Sequence, residues 1–246
     1  MIRVTSILGS AAVAMALVLA GCNGEPAKPA STFKPVPVSP VIGDVVMGDP
    51  AAKVEMVEYA ALTCHVCRDF AKQVFPRIKA TYIDTGKIKY IYRDFPLEAG
   101  PDGKATDGFG VLLASVARCK GADQFYDTVD AIFGTQGDLL DGAREGNALP
   151  VLAKVAAARN ISVDEMQTCI DHQPELRASI KASRDKASTE LKITGTPSIF
   201  VNGQLVEDKS FENLSKVIDA ALSGNPAPVD PAAPPAAPTA PAAPAQ

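Results

Sequence analysis

The chain has 246 residues and a formal net charge of −4, with 24 Lys and Arg against 28 Asp and Glu. It has no run of basic residues, which argues against nucleic-acid binding. The residue types that could carry redox or metal chemistry are scarce, with five cysteines and two histidines.

Residues 1–22 have the pattern of an export signal. Arg3 precedes an apolar run from Ile7 to Ala20, and the sequence Leu-Ala-Gly-Cys ends at Cys22. This ending resembles the bacterial lipobox, in which the cysteine becomes the lipidated first residue of the mature protein. A plain signal peptide and an N-terminal membrane helix are the alternatives. We expect a lipoprotein of the bacterial cell envelope that faces the periplasm and is held at the membrane by lipid on Cys22.

Two segments rich in proline flank the predicted globular part. Residues 23–40 lack a core pattern and are predicted to form an extended tether. Residues 224–246 consist mainly of proline and alanine, and we expect this tail to be disordered because it cannot bury enough apolar surface.

The first half of the globular part has the order strand, strand, helix, strand. The apolar runs and their periodicity predict strands near Val45–Met47, at Lys53–Tyr59 and at Ile88–Asp94, and a helix over His65–Tyr82. Pro76 lies inside this helix and should kink it. The last two strands are expected to be parallel, joined by a right-handed crossover.

Cys64 and Cys67 lie where the second strand gives way to the helix. The unpaired N–H groups and the dipole at a helix start favour an anion, so Cys64 is predicted to be the reactive thiolate. Cys67, one turn further on, could resolve what Cys64 captures, and His65 could add positive charge. Zinc binding through Cys64, His65 and Cys67 and an inert disulfide are alternatives. Redox chemistry is favoured, since there is no second C-x-x-C and export implies an oxidising compartment.

Residues 104–192 carry helical patterns only. The predicted helices are Ala105–Cys119, Asp123–Phe133, Leu149–Arg159, Val163–Ile170 and Pro174–Leu191. Ser162 and Glu165 form a capping-box pattern at the start of the fourth. The acidic cluster Asp138–Asp141 lacks the pattern of a calcium loop, and we expect a solvated loop there.

The chain returns to strands after residue 192. Ser198–Val201 and Gln204–Val206 flank Asn202-Gly203, a two-residue hairpin signal. A final helix is predicted at Phe211–Leu222, with Ser210 as its N-cap.

These motifs together resemble the DsbA-like group of thioredoxin-fold proteins. The resemblance covers residues 42–222 and depends on the strand before Cys64-His65-Val66-Cys67, on the run Asp123–Tyr126, and on the run Ile193–Gly203. It implies an α/β class and a thioredoxin fold with an all-helical insertion subdomain. The expected parts are the thioredoxin domain at 41–103 and 193–223 and the insertion at 104–192.

The resemblance also assigns roles to residues outside the cysteine motif. Thr196-Pro197 aligns with a cis-proline that faces the cysteines, and the Thr196 backbone would then pair with an extended substrate peptide. An ordinary trans turn is the alternative. Glu58 and Lys89 align with an acid and a base beneath the cysteines, where a carboxylate could relay the proton of Cys67. They could equally form a partly buried pair or face solvent.

Cys119 and Cys169 are expected to form a structural disulfide, as in part of the family. Free thiols or a second redox couple are the alternatives.

The predicted function is that of a thiol:disulfide oxidoreductase without cofactor or metal. The favoured form is a monomeric dithiol oxidase that acts on unfolded or partly folded exported proteins and is reoxidised by a DsbB-like membrane partner. A disulfide reductase or isomerase, or a metal-handling surface lipoprotein without enzymatic activity, are alternatives. The best-known oxidases have proline then histidine between the cysteines, whereas this chain has His65 then Val66, so the direction of exchange is left open.

Overall fold

The computed structural model describes residues 33–224, and those from Pro35 onwards belong to one compact unit. The predicted signal and lipobox at 1–22, including Cys22, lie outside the described residues. So do most of the tether and the tail beyond Gly224. None of the helices within residues 33–224 is both long and apolar enough to cross a membrane.

A mixed five-stranded sheet forms the centre of the unit. Its strands are β1 (Val46–Gly48), β2 (Val54–Ala60), β3 (Ile88–Asp94), β4 (Ser198–Val201) and β5 (Gln204–Val206), in the spatial order β1-β3-β2-β4-β5. β2 and β3 are parallel as predicted, with Val54 opposite Ile88. The other neighbouring pairs are antiparallel, and Asn202-Gly203 joins β4 to β5.

The central strand β2 is buried on both faces. One face carries Met56, Glu58 and Ala60, and the other carries Val57 and Tyr59, since successive side chains of a strand alternate. Apolar side chains cover both faces and make the two hydrophobic clusters of the unit. A polar side chain on the first face, such as Glu58, is therefore enclosed.

The predicted helix over His65–Tyr82 is divided. It consists of α1 (His65–Gln73), α2 (Phe75–Ile78) and a π-helical turn over Lys79–Ile83. The division falls at Val74, and Pro76, which has no N–H to continue the hydrogen bonds of α1, lies in the first turn of α2. The structure thus has a break between two helices near Pro76, where a kink within one helix was predicted.

Six helices, with no further strand of the sheet, lie between β3 and β4. They are α3 (Phe109–Ala117), α4 (Ala122–Gly134), α5 (Gln136–Arg144), α6 (Ala148–Ala157), α7 (Val163–Asp171) and α8 (Pro174–Glu190). The prediction of a solvated loop at Asp138–Asp141 was wrong, because these residues lie in α5 and Leu139 is buried. The capping box of Ser162 and Glu165 at α7 is present. The last helix, α9 (Phe211–Leu222), has Ser210 as its N-cap.

Part of the predicted tether packs on the helical insertion. The Val36 N–H donates to Thr168 Oγ1 at 3.1 Å, and Val38 contacts the main hydrophobic cluster. Val41, the first residue after the tether, donates from its N–H to the Arg118 carbonyl at 2.9 Å. Residues 35–40 have no regular secondary structure, but their contacts correct the expectation that they only extend away from the fold.

Candidate active site

Cys64 is the N-cap of α1. Its backbone is extended, with φ −86° and ψ 120°, and its Sγ accepts a hydrogen bond from the Cys67 N–H at 3.3 Å. Cys64 is 7% exposed and Cys67 is fully buried, while His65 and Val66 between them are exposed. Neither cysteine is disulfide-bonded in this structure. Cys64 is thus the thiol that a partner could reach, and Cys67 lies behind it.

Thr196 and Pro197 lie directly beside Cys64. The peptide bond between them is cis, as predicted, and the Cys64 thiol donates to the Thr196 carbonyl at 3.5 Å. Tyr59 pairs with Ser198 in the sheet, so the end of β2 that leads to Cys64 lies next to the start of β4. Two segments separated by more than a hundred residues therefore meet at one sulfur.

The surroundings shift the pKa values of the two thiols in opposite directions. A hydrogen bond from the Cys67 thiol, with further bonds from the Cys67 and Val66 backbone, lowers the pKa of Cys64 to about 5, although burial acts against it. Burial raises the pKa of Cys67, and its bond to Cys64 and the charge of Glu58 add to this effect. Near neutral pH the pair is thus a Cys64 thiolate and a Cys67 thiol.

Glu58 is a buried carboxyl group near the two sulfurs. Burial raises its pKa to about 7 and the Cys64 charge adds to this, while a hydrogen bond from Tyr90 acts in the opposite direction. The Tyr90 hydroxyl donates to Glu58 Oε2 at 2.6 Å, and Glu58 Oε1 has no hydrogen-bond partner in the protein. A group with this pKa can both take up and release a proton near neutral pH.

A cavity of about 280 Å³ reaches Glu58 from the side of α2 and α4. Aromatic side chains that include Phe75, Tyr90 and Tyr126 form much of its wall, and Lys79 and Asp130 also line it. Glu58 therefore borders a cavity whose lining includes neither Cys64 nor Cys67.

Lys89 does not join this site. Lys89 lies opposite Glu55 in the sheet and forms an ion pair with it, with 3.6 Å between Nζ and Oε2. Glu55 and Glu58 are three positions apart on one strand, so their side chains emerge on opposite faces. The expectation that Lys89 lies beneath the cysteines with Glu58 is corrected, and Tyr90 is the residue that contacts Glu58.

Two residues at the site were not singled out from the sequence. Tyr90 contacts Glu58, and Gln136 donates from α5 to backbone carbonyls next to Cys64. Successive side chains of β3 point to opposite faces of the sheet, so Tyr90 and Lys89 lie on opposite faces. With the register of β2 and β3 known, this alternation would have indicated Tyr90 as the partner of Glu58. No sequence signal marks Gln136, because its contact depends on how α5 packs.

An open groove of about 630 Å³ runs beside the cis-proline. Residues 191–198 form one wall, and Leu205, Glu207 and Lys209 contribute from the following segment. Thr196, whose carbonyl Cys64 contacts, lines this groove, and so does Ser198, the first paired residue of β4.

Cys119 and Cys169 are joined by a disulfide within the helical insertion, as expected. Both are fully buried and the bond closes a sequence separation of 50 residues. Within residues 33–224, no group of three or more His, Cys, Asp or Glu side chains is arranged to hold a metal ion.

Comparison with known proteins gives a family match over most of the chain. The model of a family described as Thioredoxin matches residues 41–220. A Rickettsia prowazekii protein, provisionally named a protein-disulfide oxidoreductase, is 32% identical over 179 residues, which cover 73% of this chain. The match covers 61% of that relative, so the chain spans about three fifths of its length.

Two further proteins extend this similarity. Disulfide bond formation protein D of Bacillus subtilis is 25% identical over 187 residues, covering 74% of this chain and 78% of the relative. The crystal structure of alpha-DsbA1 from Wolbachia pipientis superposes with a TM-score of 0.61 at 29% identity. That match covers 75% of this chain and 94% of the Wolbachia chain.

Proposed function

The chain belongs to the thioredoxin family, and from that premise we propose that it catalyses thiol–disulfide exchange through Cys64 and Cys67. The observation that carries the proposal is the low pKa of Cys64 at the start of α1, beside the cis-proline turn. A thiolate is the attacking form of cysteine and also the better leaving group. The names of the relatives support the same reaction class.

The proposed direction is oxidation of substrate dithiols. A substrate thiolate attacks Cys64 of the oxidised pair, the Cys64–Cys67 bond breaks, and Cys67 leaves and takes a proton. A second substrate thiolate then attacks the substrate sulfur of the mixed disulfide and expels Cys64 as thiolate. The substrate loses two electrons and gains a disulfide, and the protein becomes the dithiol. Stabilisation of the Cys64 thiolate favours this direction because it stabilises the product form of the protein.

Glu58 is proposed to exchange the proton of Cys67. Its pKa of about 7 allows it to give a proton when Cys67 leaves and to take one when Cys67 attacks. The electrostatic interaction between the two groups supports this assignment. The cavity that Glu58 borders could connect the carboxyl to solvent, and neither cysteine lines it.

The proposed substrates are unfolded or partly folded exported proteins. The groove beside Thr196 and Pro197 could accept an extended segment next to Cys64, with backbone pairing in the manner of an added strand. The exposed Val66 adds apolar contact surface next to the sulfur. A DsbB-like membrane protein is proposed to reoxidise the pair, and lipid on Cys22 would hold the protein in the cell envelope.

The test is a comparison of variants in a substrate oxidation assay. The oxidised protein is mixed with a reduced, unfolded protein that needs disulfides for activity, and the gain of activity is followed. Mixed with a substrate that carries a disulfide, Cys67→Ser should accumulate a mixed disulfide on Cys64, because Cys64 attacks the substrate disulfide and no second cysteine resolves the adduct. Cys64→Ser should form none. If Cys64→Ser still oxidises the substrate and still forms the adduct, the proposal is refuted. Recovery of a substrate with scrambled disulfides, without net oxidation, would instead support an isomerase.

A further inference from the structure

Gln136 connects the helical insertion to the turn that carries Cys64. It is the first residue of α5 and is fully buried. Its Nε2 donates to the Leu62 carbonyl at 2.8 Å and to the Cys64 carbonyl at 2.9 Å. One side-chain amide thus bridges two carbonyls on either side of Thr63, from more than seventy positions along the chain.

The carbonyl of Cys64 also starts the catalytic helix. It accepts the Arg68 N–H at 3.2 Å, which is the first hydrogen bond of α1. A bond to this carbonyl limits rotation of the Cys64 peptide unit, and the bond to Leu62 fixes the chain two residues earlier. Together they hold Cys64 in the extended N-cap conformation in which Sγ accepts a hydrogen bond from the Cys67 N–H.

The other end of the Gln136 amide has no partner. Its Oε1 is buried and accepts no hydrogen bond from the protein. An unpaired buried oxygen is costly, so an apolar residue would suit this position better if packing were its only role. The N–H groups are therefore the part of the side chain that the site uses.

We infer that Gln136 is a positioning residue, through which the helical insertion holds Cys64 in the geometry that stabilises its thiolate. The inference rests on the proposed function, because it assigns Gln136 a role in the reactivity of Cys64. Gln136 does not touch the sulfur, and it acts through the backbone of Leu62 and Cys64. The insertion thereby contributes directly to the redox centre.

The experiment measures the Cys64 pKa in Gln136→Met from thiolate absorbance during a pH titration of the reduced protein. Methionine has a similar length but no donor. We expect the pKa to rise by about half to one pH unit, the size of effect that a neutral hydrogen bond has. The reduction potential should fall in the same variant. Thr128→Val is the matched control, because Thr128 is fully buried in α4 and its hydroxyl bonds only within that helix, to the Gln124 carbonyl at 2.8 Å.

A rise of the Cys64 pKa in Gln136→Met but not in Thr128→Val, at similar melting temperatures, would support the inference. An unchanged pKa in Gln136→Met, with only a loss of thermal stability as in the control, would overturn it. If the methionine variant does not fold, Gln136→Asn is titrated in the same way, since its amide is one methylene too short to reach both carbonyls. The Cys64 pKa of the unaltered protein tests the proposed function separately. If that pKa is the same as in an ordinary thiol, the proposed function is contradicted, whatever Gln136 does.

Discussion

The stability of the reduced protein should depend on pH in a way that the oxidised protein does not share. Only the dithiol form has a Cys64 thiol to ionise. Its pKa is about 5 in the folded state, against about 8.5 in an unfolded chain. Between these values the unfolded chain binds more protons, so the free energy of unfolding of the reduced form rises with pH.

The pKa of Cys64 sets the size of this effect. If the whole pKa shift of Cys64 contributes to stability, the free energy of unfolding of the reduced form rises by about 2 kcal/mol between pH 5 and pH 7. Cys64 is only 7% exposed, so screening by solvent removes little of this gain. For a domain of this size, each kcal/mol corresponds to about 2–4 °C in melting temperature.

Glu58 acts in the opposite direction. Its raised pKa means that the folded state binds more protons, so its contribution lowers stability as pH rises from about 4.5 to about 7. Most of this shift comes from burial, which both redox forms share, and it largely cancels when the two forms are compared. The difference between reduced and oxidised protein therefore reports mainly on Cys64.

The assay is thermal unfolding of both redox forms at intervals from pH 5 to pH 8. The melting temperature of the reduced form should rise relative to that of the oxidised form across this range. The Cys64→Ala variant is the control. Its melting temperature should not rise with pH relative to that of the oxidised, unaltered protein. A difference that stays constant with pH would refute the assignment of Cys64 as a thiolate.

The remaining predictions concern four sites. Glu58→Gln should remove the rise near pH 7 in the rate at which the reduced protein resolves a mixed disulfide, and should raise the free energy of unfolding at pH 8 by roughly 3 kcal/mol because no buried charge remains. Tyr90→Phe should move that rise to higher pH, since the carboxylate loses a hydrogen bond. Cys119→Ala with Cys169→Ala should lower the free energy of unfolding by about 4 kcal/mol and leave exchange by the folded protein unchanged. Lys89→Met should change stability by less than about 1 kcal/mol and leave the exchange rate unaltered.

Rapid-mixing kinetics over pH and denaturant unfolding check these expectations. A pH profile in Glu58→Gln identical to that of the unaltered protein would contradict the relay. Loss of exchange in the folded variant without the Cys119–Cys169 bond would make that pair part of the redox chemistry. A large effect of Lys89→Met on the rate would contradict its placement on the far face of the sheet.

Local patterns in the sequence predicted much of the fold. The bounds of β3, β4, β5 and α9 agree with the structure, because alternating apolar runs, the Asn202-Gly203 turn and the Ser210 cap are local signals. The place of Cys64 at a helix start was predictable for the same reason. The sequence pattern did not predict α5, because its glycines and acidic residues disfavour a helix locally. Burial of Leu139 compensates for them.

Contacts between distant segments could not be predicted in the same way. Whether Lys89 or Tyr90 meets Glu58 depends on the register of β3, which a shift of one residue would reverse. The contact of Gln136 with the Cys64 turn requires the packing of α5 against a different part of the fold. Both depend on tertiary structure, and both determine the charge and geometry around the sulfurs.

The redox equilibrium of the Cys64–Cys67 pair with glutathione tests the central claim most directly. Stabilisation of the Cys64 thiolate in the reduced form predicts a reduction potential well above that of thioredoxin, which is about −270 mV. A potential at or below that of thioredoxin would contradict the proposal that the pair donates disulfides.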